Sequence, residues 1–231
     1  MTETLHEESR HPARRRRAQA NPVAQQHNTS SWARLQALPA VFRGADLTLR
    51  FQWTSRTASQ YLYRWKHQGR VQAFGGHSDV FANLQVQPKP PWEQALLLAM
   101  PSALIIGIEC LRRAGWTTQI PSAPEVAVCS SQPRYATPWF HTVPCSAAWL
   151  LRVAKGVRPG QSGQAAPQLS PTWALADMLH RQGWAACGLK PDDLDWSAVT
   201  PKDRAEWPLA AAATGKPTGP MWPALNQRCG T

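Results

Sequence analysis

The sequence lacks the long apolar run that a membrane-spanning helix requires. Its most apolar stretch, "ALLLAMPSALIIGI" at residues 95–108, has 14 residues and carries Pro101 in its middle, whereas about 20 apolar residues are needed to cross a bilayer. We therefore expect this stretch to lie in the core of a globular protein that has no membrane partner.

Close cysteine pairs are also missing. Cys110, Cys129, Cys145, Cys187 and Cys229 are widely spaced, form no CxxC motif and are odd in number. This spacing argues against a disulfide framework and against most structural zinc sites. Reduced thiols are typical of a cytoplasmic protein, so we predict that location, with no bound metal and no cofactor.

Sequence signatures of catalysis are absent. The chain contains no nucleophile elbow, no phosphate-binding loop and no HExxH motif, each of which would hold a reactive group on a defined turn or helix. We therefore predict that the protein is not an enzyme. One enzymatic alternative stays open, because Asp192, Asp193 and Asp195 form an acidic cluster that could hold a divalent cation, although aspartate is also favoured where a helix starts.

Acidic residues are scarce relative to basic ones. The chain has 25 Lys and Arg against 14 Asp and Glu, a formal net charge of +11. Residues 1–91 alone hold 13 basic and 5 acidic residues, so most of the excess lies in the N-terminal part. Excess basic charge favours an acidic partner, and nucleic acid is the first candidate.

Charge and proline content divide the chain into four parts. Residues 1–30 are polar, include "RRRR", and predict a basic disordered tail that either follows a phosphate backbone or only aids solubility. Residues 31–87 and 92–213 have the apolar periodicity of two folded domains and are separated by "QPKPPW", a proline-rich boundary. Residues 214–231 are predicted to form a Pro-rich tail.

Within residues 31–87 the pattern predicts three helices followed by a β-hairpin. The second helix begins near Gly44, and the third begins after Thr54 and ends at Gly69, as their capping preferences indicate. "RVQAF" and "VFANL" predict two strands around a "GGHSD" loop. Three helices and a hairpin in this order form a winged helix-turn-helix, a DNA-binding motif that some proteins reuse for protein contacts alone.

The third predicted helix has two different faces. Ala58, Tyr61, Leu62 and Trp65 form one apolar stripe at helical spacing, so the opposite face is polar. In this motif the N-terminal half of the helix meets base edges, where arginine pairs best with guanine and glutamine with adenine. The predicted base contacts are Ser55, Arg56, Thr57, Ser59 and Gln60, and the predicted backbone contacts are Arg50, Tyr63, Arg64, Lys66 and, at the hairpin tip, His77.

The second domain is predicted to be mixed. "WEQALLLAM", "SALIIGIECLRRAGW", "SPTWALADMLHRQGW" and "TPKDRAEWPLAAAATG" predict helices. "TTQI", "EVAV", "PWFHTVPC" and "AAWLLRV" predict short strands. The predicted fold class is therefore α+β, an N-terminal winged helix-turn-helix followed by a mixed α/β C-terminal domain.

The whole pattern resembles the AbiEi family, the antitoxins of type IV toxin–antitoxin systems. The similarity lies in "DVFANL" at the end of the hairpin, in "MPSALIIGIECLRRAGWTTQIPSAPEVAV", and in "SPTWALADML" with "PDDLDWSAV". These segments lie within residues 31–207, and none of them is a catalytic signature.

The resemblance implies a transcriptional autorepressor that acts as an antitoxin. Its winged helix would bind double-stranded DNA at inverted repeats in the promoter of its own operon, which a protein dimer would match. Its C-terminal domain would be required for antitoxicity. The partner gene would encode a nucleotidyltransferase-type toxin that is countered without a stable complex.

A second hypothesis comes from the apolar content of the C-terminal domain. The predicted apolar helix from Ser102 to Ala114 and the 12 tryptophans of the chain indicate more apolar surface than one core absorbs. In this alternative the protein is an interaction protein whose C-terminal domain directly sequesters a toxin or the nucleotide substrate of that toxin.

Overall fold

The computed structural model describes residues 30–75, 78–129, 137, 139–160, 165–184 and 188–215. Of the two predicted tails, residues 1–29 and 216–231 lie outside this part. The described residues form a mixed α and β fold with two sheets. Its elements are α1 (Ser31–Gln36), β1 (Val41–Arg43), α2 (Gly44–Phe51), α3 (Ser55–His67), β2 (Val71–Ala73), β3 (Val80–Asn83), α4 (Trp92–Ala99), β4 (Leu104–Ile106), α5 (Ile108–Arg113), β5 (Glu125–Cys129), β6 (His141–Cys145), α6 (Ala147–Val153), β7 (Val157–Arg158), β8 (Gln168–Leu169), α7 (Pro171–Arg181) and α8 (Pro201–Thr214).

The N-terminal helices begin where short polar side chains can cap them. The hydroxyl of Ser30 accepts a hydrogen bond from the backbone of Ala33, and the hydroxyl of Thr54 accepts one from Thr57. Gly69 follows α3 with φ of 63°, a left-handed conformation that glycine adopts without a steric penalty. The predicted helices and hairpin strands of this part are confirmed as secondary structure.

A small three-stranded sheet lies between the N-terminal helices and the rest of the protein. Its order is β1-β3-β2, and both pairs are antiparallel. Because alternate residues of a strand point to opposite faces, Phe42 joins the core of Leu35 and Trp65, while Val41 and Val80 join the larger core of the following residues. Strand β1 was not predicted, since three residues are too few to show a period.

The second sheet has five strands in the order β6-β5-β4-β8-β7. The pairs β4–β8 and β5–β6 are parallel, and the pairs β4–β5 and β7–β8 are antiparallel. Helix α7 packs on this core with eight consecutive buried residues, Thr172 to Leu179. Helix α8 lies against α7 and begins with the predicted capping box between Thr200 and Asp203.

Three predicted elements of this part are wrong. "SALIIGIECLRRAGW" is not one helix, because Leu104–Ile106 is a buried strand and the chain turns at Gly107, whose φ is 73°. Positive φ at Gly107 cannot belong to a right-handed helix. "AAWLLRV" is helix α6 rather than a strand, since Ser146 caps it through the backbone N–H of Trp149. "TTQI" forms no strand, whereas β5 and β6 are confirmed.

The proline-rich boundary joins two parts that pack against each other. Phe74, at the end of β2, contacts the ring of Phe140 with centroids 5.3 Å apart, and Trp92 of α4 contacts the same ring. The guanidinium of Arg43 donates a hydrogen bond to the carbonyl of Leu98 in α4. The three-stranded sheet is therefore covered on both faces.

Asn83 fixes the end of α1 from inside the protein. It is fully buried, and its side-chain amide donates to the carbonyl of Leu35 at 2.8 Å and to that of Leu38 at 3.3 Å. Its side-chain oxygen accepts from the backbone of Gln85. One side chain thus connects β3 to α1 and to the turn that follows β3.

Replacement of Asn83 by alanine is expected to lower the free energy of unfolding by about 2 to 3 kcal/mol, because buried polar groups lose partners. Denaturant unfolding followed by circular dichroism measures the loss. The control is Gln85→Ala, an exposed neighbour whose removal should change stability by less than about 0.5 kcal/mol. Equal stability of the two variants would contradict a structural role for Asn83.

Candidate nucleic-acid interface

The inner face of α3 fixes this helix to the N-terminal core. Ala58 and Trp65 are buried, and Tyr61 and Leu62 are partly buried against the same cluster. The indole nitrogen of Trp65 donates to the hydroxyl of Ser31 at 3.0 Å. These are the four residues of the predicted apolar stripe, which the structure confirms.

Stacked rings lock the turn between α2 and α3. Trp53 stacks on Tyr61 with ring centroids 4.2 Å apart, and the guanidinium of Arg34 lies 5.3 Å from the Trp53 ring centroid. The same guanidinium donates to the hydroxyl of Tyr61 at 3.1 Å. The turn begins with Gln52 at φ of 55°, a left-handed conformation that is uncommon outside glycine, asparagine and aspartate.

The outer face of α3 is exposed and polar along its length. Arg56, Gln60, Tyr63 and His67 follow one another at spacings of three and four residues, so they form one row on the helix, and all four are exposed. Tyr63 is 65% exposed, and its ring lies nearly perpendicular to the ring of His67, with centroids 4.0 Å apart. The flanks of this row are also exposed, namely Ser55, Ser59, Arg64 and Lys66 on α3 and Arg50 on α2.

Two of the predicted contact residues differ from the others. Thr57 is only half-buried on the flank, and its hydroxyl lies 2.9 Å from that of Thr54, so it also supports the helix cap. His77 lies outside the described residues. His67 belongs to the outer row although the predicted contact set omitted it. His67 follows Gln60 by seven residues, about two helical turns, so this spacing alone could have placed it in the predicted contact set.

The N-terminus of α2 is already occupied by acidic groups. The backbone of Ala45 donates to the carboxylate of Asp79 at 3.0 Å, and the backbone of Gly44 donates to the carbonyl of Asp79 at 2.9 Å. The backbone of Arg43 donates to the carboxylate of Asp46. A phosphate group would therefore meet two carboxylates here, so the anion-binding capacity of a helix start is used within the protein.

Two members of the acidic cluster, Asp193 and Asp195, act as local caps, and Asp192 is exposed. The carboxylate of Asp193 accepts from the backbone of Lys190, and that of Asp195 accepts from the hydroxyl and backbone of Ser197. These hydrogen bonds from Ser197 lower the pKa of Asp195. In the described ranges no three His, Cys, Asp or Glu side chains come together as metal ligands.

The cysteines whose side chains are described, Cys110 and Cys145, are buried and free. Burial raises the pKa of the Cys110 thiol to about 12, so this thiol is a packing group rather than a nucleophile.

Among the described residues, no helix is long and apolar enough to cross a membrane.

Comparisons with known proteins give little further information. No protein-family model matches the chain, and no curated protein sequence matches it. Among solved structures, the crystal structure of the RV2827C protein from Mycobacterium tuberculosis is similar to this protein, with 14% sequence identity and a TM-score of 0.46. The matched region covers 90% of this chain and 82% of that chain. This similarity is too low to support a conclusion about function.

Proposed function

We propose that the protein is a sequence-specific DNA-binding regulator of transcription. Residues 31–87 would form a winged helix-turn-helix, with α3 as the recognition helix and the β2–β3 hairpin as the wing. The observation that carries this proposal is the outer row of α3, where Arg56, Gln60 and Tyr63 are exposed together while the opposite face is buried around Trp65.

The size and chemistry of α3 suit the major groove of DNA. Its 13 residues extend about 20 Å, and an α-helix fits a major groove about 12 Å wide. Arg56 would contact guanine and Gln60 adenine, with Ser55, Thr57 and Ser59 beside them. The residues proposed to contact the phosphate backbone are Arg50, Tyr63, Arg64, Lys66 and His77.

We further propose that the regulator represses its own operon as the antitoxin of a type IV toxin–antitoxin system. Support for this step is the sequence resemblance to the AbiEi family within residues 31–207. In that case the DNA target would be inverted repeats in the protein's own promoter, bound by two protomers, and the functional partner would be a nucleotidyltransferase-type toxin.

Titration of the protein against its own upstream DNA and against a scrambled duplex of equal length tests DNA recognition. We expect the natural duplex to bind at least about 10³-fold more tightly at moderate salt, because base contacts add to phosphate contacts. Fluorescence anisotropy at two salt concentrations measures both affinities. Equal binding of both duplexes, with a steep loss in salt, would reduce the interaction to counterion release and exclude sequence-specific recognition.

Replacement of Arg56 by alanine should weaken binding to the natural duplex by about 1 to 3 kcal/mol and relax the preference at one base pair. The measurement is the same titration, repeated with duplexes that vary each position in turn. Arg152→Ala is the matched control, since Arg152 is exposed on α6, far along the chain from α3, and carries the same charge. Equal effects of the two variants would assign Arg56 to nonspecific attraction.

The alternative function, direct sequestration of a toxin, has one structural observation in its favour. Leu151 on α6 and Leu209 on α8 are 78% and 46% exposed, and these two helices contact each other. Contiguous exposed apolar patches mark protein-binding surfaces, and these two leucines are the exposed apolar side chains that such a surface would use. The apolar helix from Ser102 to Ala114 that first motivated this alternative does not exist as such.

Co-expression with the product of the neighbouring gene separates these functions. For a type IV antitoxin we expect growth to be rescued while the two proteins fail to co-purify. Leu151→Ser with Leu209→Ser should then leave rescue unchanged, because no stable complex depends on that surface. Co-purification that the double variant abolishes, together with loss of rescue, would establish sequestration instead.

A further inference from the structure

A cavity of about 430 Å³ opens on the C-terminal part of the protein. It lies where β5 and β6 begin and where α7 ends, and its walls combine the apolar Ile108 and Met178 with the polar Glu125, His141 and Gln182. Small-molecule sites commonly have volumes of about 300–1,000 Å³ and mix an apolar lining with a few polar groups. The cavity therefore has the size and composition of a ligand site.

One of the carboxylates that line the cavity, Glu109, is already paired with two arginines. Glu109 accepts hydrogen bonds from Arg112 at 2.8 and 2.7 Å and from Arg113 at 2.7 Å. Burial raises the pKa of Glu109, but these bonds and the two positive charges outweigh it and hold the pKa below its ordinary value. Glu109 is thus ionised, and its charge is balanced within the protein.

Glu125 is the carboxylate that remains available to a ligand. In the part of the chain that the structure describes, its one polar side-chain contact is the guanidinium of Arg181 at 3.5 Å, the outer limit of a hydrogen bond. Arg181 is committed more closely to the buried Asp177, at 2.7 Å. Glu125 therefore keeps most of its capacity to accept hydrogen bonds, and it lines the cavity.

The backbone beside Glu125 leaves room for this carboxylate. Ile106 pairs with Glu125 across the sheet, and the next residue, Gly107, has φ of 73° and ψ of −154°. A Cβ atom at Gly107 would lie only 2.8 Å from Oε2 of Glu125. On the other side, His141 pairs with Glu125 in parallel register, so an exposed imidazole lies next to the carboxylate.

These groups select for positive rather than negative ligands. The guanidiniums of Arg112, Arg113 and Arg181 are paired with carboxylates, and none of them is among the described residues that line the cavity. A phosphate in the cavity would meet Glu125, which would repel it. We propose that the cavity binds a small organic cation, an amidinium, guanidinium or ammonium group on an apolar body. The cationic group would bind Glu125, and the body would pack on Ile108 and Met178. This site is independent of DNA binding.

A series of three probes of similar shape and different charge tests the site. Benzamidine is cationic, benzamide neutral and benzoate anionic. Titration of the full chain, followed by nuclear magnetic resonance, should show saturable binding of benzamidine, binding of benzamide at least about tenfold weaker, and no binding of benzoate. Equal affinity for all three, or no saturation by benzamidine below about 10 mM, would overturn the proposal.

Variants of the chain assign the binding to Glu125. Glu125→Gln keeps the shape of the side chain and should lower the affinity for benzamidine to that for benzamide. Asp192→Asn is the matched control, because it removes an exposed carboxylate outside the cavity and should leave the affinity unchanged. If Glu125→Gln lowers the melting temperature, Gln182→Arg decides, since it places a cation at the exposed rim of the cavity and should abolish binding. Unchanged binding in a folded Glu125→Gln or Gln182→Arg variant would overturn the proposal.

Discussion

The orientation of α3 depends on one side chain, the indole of Trp65. It is fully buried, and a buried aromatic ring removes a large apolar area from water while its N–H still needs a partner. Ser31 supplies that partner, so the same residue joins α3 to α1 by packing and by a hydrogen bond. Most of the stability of a polar helix comes from its packed face, which leaves the outer row from Arg56 to His67 free for other contacts.

The three-stranded sheet connects the N-terminal core to the core of the rest of the protein. Neighbouring residues of β1, Val41 and Phe42, enter different cores, so the strand holds both sides together. Phe74 precedes the hairpin loop and packs on Phe140, and the next residue along the chain, His141, lines the cavity. One wall of the cavity therefore begins at the residue that follows the Phe74–Phe140 contact.

Elements with local signals could be predicted from the sequence, and elements that depend on distant pairing could not. Caps at Thr54 and Thr200 identify α3 and α8 because a capping residue acts within one turn. The strand Leu104–Ile106 has no such signal. Its apolar residues suit a buried helix equally well, and it becomes a strand because β5 and β8 lie beside it. The cavity was missed for the same reason, since Glu125 and His141 are brought together by strand pairing.

Net charge alone also says little about where a polyanion would bind. Several arginines of the described part are engaged within the protein, such as Arg113 with two glutamates and Arg70 with the ring of Trp32. On α3, by contrast, Arg56, Arg64 and Lys66 are exposed. Charges act over roughly 10 Å at ordinary salt concentrations, so exposed cations close together on one helix attract a phosphate backbone more strongly than the same number of paired ones. What distinguishes α3 as the candidate interface is this local arrangement rather than the total charge of +11.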